Sequence, residues 1–179
     1  EVVLSGKSNV GKSSLINALA DNKKLAKISS TPGKTRLVIY FDVDGQFYLT
    51  DLPGYGYAQA PKAVQAEYSK LVDQYFVSGR PIALVLHLID IRHRPSKEDM
   101  QMFRYMNETG LRYFTVFTKA DKLSRAQATR RIKELKQDLG IKYEKECFAV
   151  SADKKTGLDE LRTAILSYLF DFEGDEDNQ

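Results

Sequence analysis

The octapeptide Gly6-Lys7-Ser8-Asn9-Val10-Gly11-Lys12-Ser13 restricts the possible folds of this chain more than any other stretch. It follows a short apolar run, Val2–Leu4, and precedes a helical pattern of Leu15, Ile16 and Leu19. That is the strand–loop–helix setting in which G-x-x-x-x-G-K-[ST] surrounds a phosphate. Gly6 and Gly11 let backbone N–H groups turn inward, and the helix N-terminus adds its partial positive charge. Lys12 places a point charge on the β- and γ-phosphate oxygens, and Ser13 offers a hydroxyl to Mg²⁺. The binding stretch expected here therefore runs over Gly6, Lys7, Ser8, Asn9, Val10, Gly11, Lys12, Ser13 and Ser14.

The rest of the chain reads as alternating strands and helices. Leu37–Val43 and Gln46–Thr50 flank Asp44-Gly45, a strong hairpin signal. A helix is predicted from about residue 62 to Ser78. Ile82–Ile89 is a near-continuous apolar strand, of the kind buried on both faces. Ser96 with Asp99 forms a capping box for a helix that turns Met100, Phe103 and Met106 inward and ends at Gly110. Tyr113–Phe117 and Cys147–Val150 read as further strands. Ala128, Ile132, Leu135 and Leu139 line one helix face, and Leu158, Leu161, Ile165 and Leu169 another. The expectation is a three-layer α/β fold: a mostly parallel six-stranded sheet with one antiparallel edge strand, and helices on both faces.

Length and charge add bounds. With 179 residues, the chain can bury a full core without disulfide or metal staples. Its single cysteine, Cys147, excludes an internal disulfide and a cysteine zinc site and fits a reducing compartment. No apolar run reaches the length of a membrane span. Glu1 already lies within a strand pattern, so a preceding segment is expected. The net charge of +3 is uneven: residues 171–179 hold five acids and no base, which leaves 27 bases against 19 acids, or +8, on residues 1–170. We expect one domain over 1–170 and a disordered acidic tail over 171–179. A basic body is compatible with a polyanionic partner such as RNA, and equally with a solvated lysine-rich surface.

Three further motifs narrow the ligand. Asp51-Leu52-Pro53-Gly54 follows a strand, where the aspartate would hold the Mg²⁺ hydration shell and Gly54 would present its N–H to the γ-phosphate. Thr118-Lys119-Ala120-Asp121 ends the strand from Tyr113, at the carboxyl edge where open α/β sheets bind ligands. There Asp121 can accept from the N1–H and 2-amino group of guanine while Lys119 packs its stem over the ring. Adenine offers neither donor, which would strand a buried carboxylate. Val150-Ser151-Ala152, after the next strand, can offer a backbone N–H to the guanine O6.

The order GKSNVGKS, TPGKT, DLPG, TKAD, SA resembles translation-factor-type GTPases with the P-loop GTPase fold. With Gly54-Tyr55-Gly56-Tyr57-Ala58 and Asp90-Ile91-Arg92-His93 added, the chain is similar to the EngB (YihA/YsxC) family of ribosome-biogenesis GTPases up to about residue 170. The resemblance implies a cytoplasmic GTP hydrolase, acting as a switch on the large ribosomal subunit or its precursor and linked in the family to cell division and septation. It implies GTP and GDP as ligands, Mg²⁺ held by Ser13, Thr35 and, through water, Asp51, and a monomer without membrane attachment. By position, Gly33, Lys34, Thr35, Arg36 and Leu37 line the nucleotide, and Thr35 rather than Thr31 is the switch threonine. Lys12, Thr35 and Gly54 are the expected catalytic set. Asn9, in the fourth P-loop position, resembles the residue that ligates K⁺ in cation-activated GTPases; the alternative is that it hydrogen-bonds the loop or the phosphates. Two other classes remain: a nucleotide-gated RNA- or ribosome-binding module with negligible intrinsic hydrolysis, and the GTPase domain of a longer tRNA-modifying or tandem-GTPase protein.

Several residues carry two readings. Tyr55 stands where many signalling GTPases have a water-orienting glutamine, so intrinsic hydrolysis should be slow; it either meets a partner or packs the loop. Thr118 replaces the usual Asn, which would lose a tie between this loop and the P-loop. Arg92 and His93 approach RNA or the nucleotide, or serve as surface or capping groups. Lys23, Lys24, Lys27, Lys34 and Arg36 cluster around the first switch. His87 reads as a satisfied core histidine.

Overall fold

The computed structural model describes residues 1–26, 37–56, 62–141 and 146–170, apart from the side chains of 62–65 and 67–69. The expected segment Thr31–Arg36, with Gly33, Lys34 and Thr35, and the tail 171–179 lie outside them. In chain order the elements are β1 (Val2–Gly6), α1 (Lys12–Leu19), β2 (Ile39–Val43), β3 (Phe47–Asp51), α2 (Lys62–Val77), β4 (Leu84–Asp90), α3 (Lys97–Thr109), β5 (Tyr113–Thr118), α4 (Arg125–Leu139), β6 (Cys147–Ala149) and α5 (Leu158–Phe170).

The six strands lie in the order β2-β3-β1-β4-β5-β6. Every neighbouring pair is parallel except β2 with β3, which are antiparallel at the edge. This is the architecture expected from the alternating pattern. The hairpin turns through Asp44 at φ 52° and Gly45 at φ 69°, the doubly left-handed turn whose twist matches that of the strands. Asp42 locks it by accepting the Gly45 N–H at 2.7 Å.

Alternation along the central strands produces the layers. Val2 and Leu4 of β1, with Leu84, Leu86 and Leu88 of β4, face a core closed by Leu15 and Ile16 of α1 and Leu158, Leu161 and Ile165 of α5. Val3, Val85 and Ile89 face the other way, onto Tyr75 of α2, Met102, Phe103 and Met106 of α3 and Leu135 and Leu139 of α4. Helices α3 and α4 begin at full capping boxes, Ser96 with Asp99 and Ser124 with Gln127, and end at left-handed Gly110 and Gly140.

β1 extends past the apolar run through Ser5 and Gly6, because β4 pairs with it as far as Gly6 opposite Leu88. Consequently the carboxyl ends of β1, β3, β4 and β5 (Gly6, Asp51, Asp90 and Thr118) all open on one side of the sheet, where Ser151 follows β6.

Gly157 fixes the last of these loops. It sits at φ +70°, and a Cβ there would lie 2.2 Å from the Ala149 carbonyl oxygen. Gly157→Ala should therefore destabilise the fold by about 2–4 kcal/mol, combining left-handed strain with overpacking. Urea unfolding of the variant beside the wild type measures this.

Candidate nucleotide site

The loop between β1 and α1 is shaped by three residues with different jobs. Gly6 has no room for a side chain: a Cβ would sit 2.8 Å from the Leu88 oxygen and 2.9 Å from Val10 Cγ1. Asn9 at φ 63° and Gly11 at φ 112° supply the left-handed turns that aim successive amides at one concave point. At the base of that concavity lie Lys12, 8% exposed, and Asp51, 2% exposed. Burial pushes the Lys12 ammonium down, and Asp51 counters it. Burial likewise raises the Asp51 carboxyl, against the Lys12 charge and the Ser13 hydroxyl. Asp51 Oδ1 is buried without a hydrogen-bond partner.

The segment after Asp51 lies on the P-loop itself. Ser8 N–H donates to the Tyr55 carbonyl at 2.8 Å and Tyr55 N–H to the Gly6 carbonyl at 3.3 Å. Gly54 is pressed so close that a Cβ would meet Ser8 Cα at 2.7 Å and Lys12 Nζ at 3.0 Å. Only glycine fits there, and its backbone sits beside the buried ammonium. The Tyr55 side chain points away from this point and donates its hydroxyl proton to Asp99 Oδ1 at 2.7 Å.

The loops after β5 and β6 form the other wall. The expectation that Thr118 forfeits a tie to the P-loop is overturned. Its hydroxyl donates to the Val10 carbonyl at 2.7 Å, with the Ile89 carbonyl further off at 3.3 Å. A shorter side chain reaches because β5 runs close behind the loop: a Cβ on Gly11 would lie 3.9 Å from Thr118 Cβ. Lys119 turns left-handed at φ 60° and donates to the Asn9 carbonyl at 2.8 Å. The same ammonium pairs with Asp90 at 2.9 Å. Arg92 is committed as well, gripping Asp90 through Nε at 2.9 Å and Nη2 at 2.7 Å. Although burial opposes it, these partners hold the Asp90 carboxyl well below the usual carboxylate range. Asp121 is kept low by Lys122 and by the Ser151 hydroxyl, which donates to it at 2.6 Å. Ser151 N–H goes to the Thr156 carbonyl at 3.0 Å, so the amide this loop can offer a base belongs to Ala152. Ala120 N–H donates to the Val150 carbonyl at 3.0 Å, joining the two loops.

Gly6 to Ser14, Asp51 to Gly54, Thr118 to Asp121 and Val150 to Ala152 thus meet along one sheet edge. Leu37 is 72% exposed, at the start of the hairpin. Among the described residues no helix is long and apolar enough to cross a membrane.

Residues 1–119 match the family described as 50S ribosome-binding GTPase. The chain is 42% identical over 176 residues to a probable GTP-binding protein EngB of Lachnospira eligens, covering 98% of this chain and 83% of that protein. It is 40% identical over 171 residues to its counterpart in Clostridium perfringens, covering 96% and 85%. The chain belongs to the EngB family of GTP-binding proteins. It is a GTPase, and guanine nucleotides are its ligands. A crystal structure of a probable GTP-binding protein EngB superposes with a TM-score of 0.79 at 20% identity, covering 94% of this chain and 97% of that one. Era in complex with MgGDPNP and nucleotides 1506–1542 of 16S ribosomal RNA shares the fold at a TM-score of 0.72 and 24% identity, covering 93% and 55%.

One part of this EngB-family site was not foreseen. His87 is fully buried on β4, with Nε2 3.1 Å from the Tyr55 hydroxyl. The phenol spends its proton on Asp99, so its oxygen can accept only an Nε2–H, which leaves Nδ1 as a bare acceptor. Nδ1 indeed has no partner, and His87 is half satisfied rather than satisfied. An apolar run broken by histidine was the visible sign; its meeting with Tyr55 required the fold.

Burial pushes the His87 imidazole down to about 4, although Asp99 opposes this. The unfolded chain therefore takes up this proton first, and stability should fall as pH drops from about 6.5 toward 4. Between pH 7 and pH 4.5 the wild type should lose about 2–3 kcal/mol more than His87→Gln, as read from urea unfolding at both pH values.

Proposed function

We propose that this EngB-family GTPase is a switch in assembly of the large ribosomal subunit, docking on its precursor with GTP and leaving after hydrolysis. The observation that carries this reading is a basic cleft of about 320 Å³ beside the P-loop, lined among others by Lys7, Arg92, His93, Arg94 and Lys119. Lys7, Arg92, Arg94 and Lys119 stand against Asp90 and Asp99 in that lining, which leaves a net positive charge for a phosphate backbone. The +8 body supplies the longer-range attraction. A cytoplasmic setting and a link to septation follow from the same reading.

In this reading Asp121 and Ala152 select guanine, and Lys119 covers the base. The P-loop amides and Lys12 hold the phosphates, and Gly54 offers its N–H to the γ-phosphate. The buried orphan oxygen of Asp51 beside Ser13 fits a metal-bound water, so Ser13, Thr35 and (through water) Asp51 would hold Mg²⁺. When bound, Mg²⁺ neutralises charge on the β- and γ-phosphate oxygens. Hydrolysis joins a water oxygen to the γ-phosphorus as the bond to the β–γ bridging oxygen breaks, giving GDP and phosphate. Lys12 stabilises the charge that develops on the bridge. Tyr55 rather than glutamine follows Gly54, and its hydroxyl faces Asp99, so intrinsic turnover should be slow. That observation favours a second reading, a nucleotide-gated ribosome-binding module whose hydrolysis waits for the ribosome.

Asp121→Asn should move preference from guanine to xanthine nucleotides, on the order of 10²-fold or more in relative affinity. Titration with GDP and XDP checks it, and persistent preference for GDP contradicts the base site.

Ribosome binding should be stronger with a GTP analogue than with GDP, and should weaken steeply with salt. Replacing both Lys7 and Arg94 by Glu should flatten that slope in co-sedimentation. An unchanged slope removes the cleft from the interface.

The proposal extends to Asn9 as a K⁺ ligand near the phosphates, supported by its exposure on the P-loop. Hydrolysis with ribosomes present should then be faster in K⁺ than in Na⁺ at matched ionic strength. Asn9→Ala should abolish the difference.

A further inference from the structure

Tyr55 is anchored at both ends. Its backbone bridges to the P-loop through Ser8 and Gly6, and its hydroxyl reaches into a polar pocket formed by Asp99 and His87. There it donates to Asp99 Oδ1 at 2.7 Å and accepts from His87 Nε2 at 3.1 Å. Asp99 is 5% exposed and His87 is fully buried. Asp99 is itself fixed: its second oxygen accepts the Ser96 N–H at 2.8 Å, and its own N–H donates to Ser96 Oγ at 3.2 Å. The pocket is thus rigid on three sides, by strand β4, by the capped start of α3 and by the ring packed among partly buried core residues.

We propose that Asp99 and His87 are positioning residues for the GTP state: acting through the Tyr55 hydroxyl, they hold the adjoining Gly54 N–H where the γ-phosphate arrives. The inference rests on the reading that Gly54 contacts that phosphate. Two features support it. Gly54 lies one residue from the anchored side chain, and a Cβ added to it would be 3.0 Å from Lys12 Nζ, so small movements of this peptide change its distance to the phosphate site. The arrangement is also costly: it buries a hydroxyl, a carboxylate oxygen and a half-satisfied imidazole together, a cost that apolar residues of like shape at all three positions would avoid. The hydroxyl, held between the carboxylate and the imidazole, fixes one orientation of the Tyr55 side chain, and with it the placement of the neighbouring backbone donor.

GDP lacks the γ-phosphate, so the anchor should matter for GTP and not for GDP. The test is equilibrium binding of GDP and of GMPPNP with Mg²⁺ to the wild-type chain, Tyr55→Phe, Asp99→Asn and Gly54→Ala. Tyr55→Phe keeps the ring and removes the hydroxyl; its GMPPNP affinity should fall roughly threefold to tenfold while GDP affinity stays within twofold. Asp99→Asn cannot accept from both Ser96 and Tyr55, and should shift the ratio in the same direction. His87→Gln, which still offers an N–H to the phenol, should restore most of the wild-type ratio. An unchanged GMPPNP-to-GDP ratio in Tyr55→Phe and Asp99→Asn overturns the proposal. So does a raised ratio, which would make the pocket a latch against GTP, and so does an equal loss of both nucleotides, which would make it merely structural. Gly54→Ala separates the two levels. If it loses GMPPNP selectively while Tyr55→Phe does not, the Gly54 reading stands and the positioning role falls. If Gly54→Ala keeps the ratio, the Gly54 reading itself is wrong.

Discussion

Two hydrogen bonds from one strand end hold the phosphate loop in shape. Thr118 reaches the Val10 carbonyl at 2.7 Å and Lys119 the Asn9 carbonyl at 2.8 Å. A loop whose amides turn inward must turn its carbonyls outward, and outward carbonyls need donors. The end of β5, whose following loop carries the proposed base site, provides them. On that proposal base recognition and phosphate recognition are braced by the same residues, and the left-handed turns at Asn9 and Gly11 persist because this brace over-determines them. Asp90 completes the arrangement by pairing with Lys119 and Arg92, which keeps the ammonium between two acceptors.

The centre of the site is organised against stability. Lys12 and Asp51 are both buried, and burial opposes the charge on each. Such a pair is weak evidence for stability, since apolar residues of like volume are often as good or better. The pair makes sense where a polyanion is to arrive: the ammonium is desolvated before the phosphates come, and the carboxylate oxygen, orphaned among the described residues, is open to a further partner. Gly6 and Gly54 allow the backbone to approach these charges as closely as it does.

Most of the architecture was legible because its signals are local. The P-loop glycines, the Asp44-Gly45 turn, the Ser96 capping box and the apolar alternation each act over a few residues, and the strands followed from them with ends displaced by one or two residues. What was not legible depends on contacts across the sheet. Thr118 looked like a weakened Asn, because no pattern along the chain shows how near β5 runs to Val10. His87 looked like core, because its partners Tyr55 and Asp99 come from other elements, 32 and 12 residues away. Ser151 reads as a donor to the base by motif, yet its amide is used by Thr156 and its hydroxyl by Asp121. The segment 27–36, where Thr35 was expected to act, is outside the described residues.

The dependence of the phosphate loop on the base loop is tested most directly with a ligand that has no base. Pyrophosphate, titrated calorimetrically into wild type, Thr118→Val and Lys119→Met, reaches the P-loop without touching Asp121 or Ala152. If Thr118 and Lys119 brace the loop, both variants should bind pyrophosphate roughly tenfold or more weakly, in step with their loss of GDP affinity. If pyrophosphate binds the variants as tightly as the wild type while GDP binding falls, the two residues serve the base alone and the P-loop holds its shape without them.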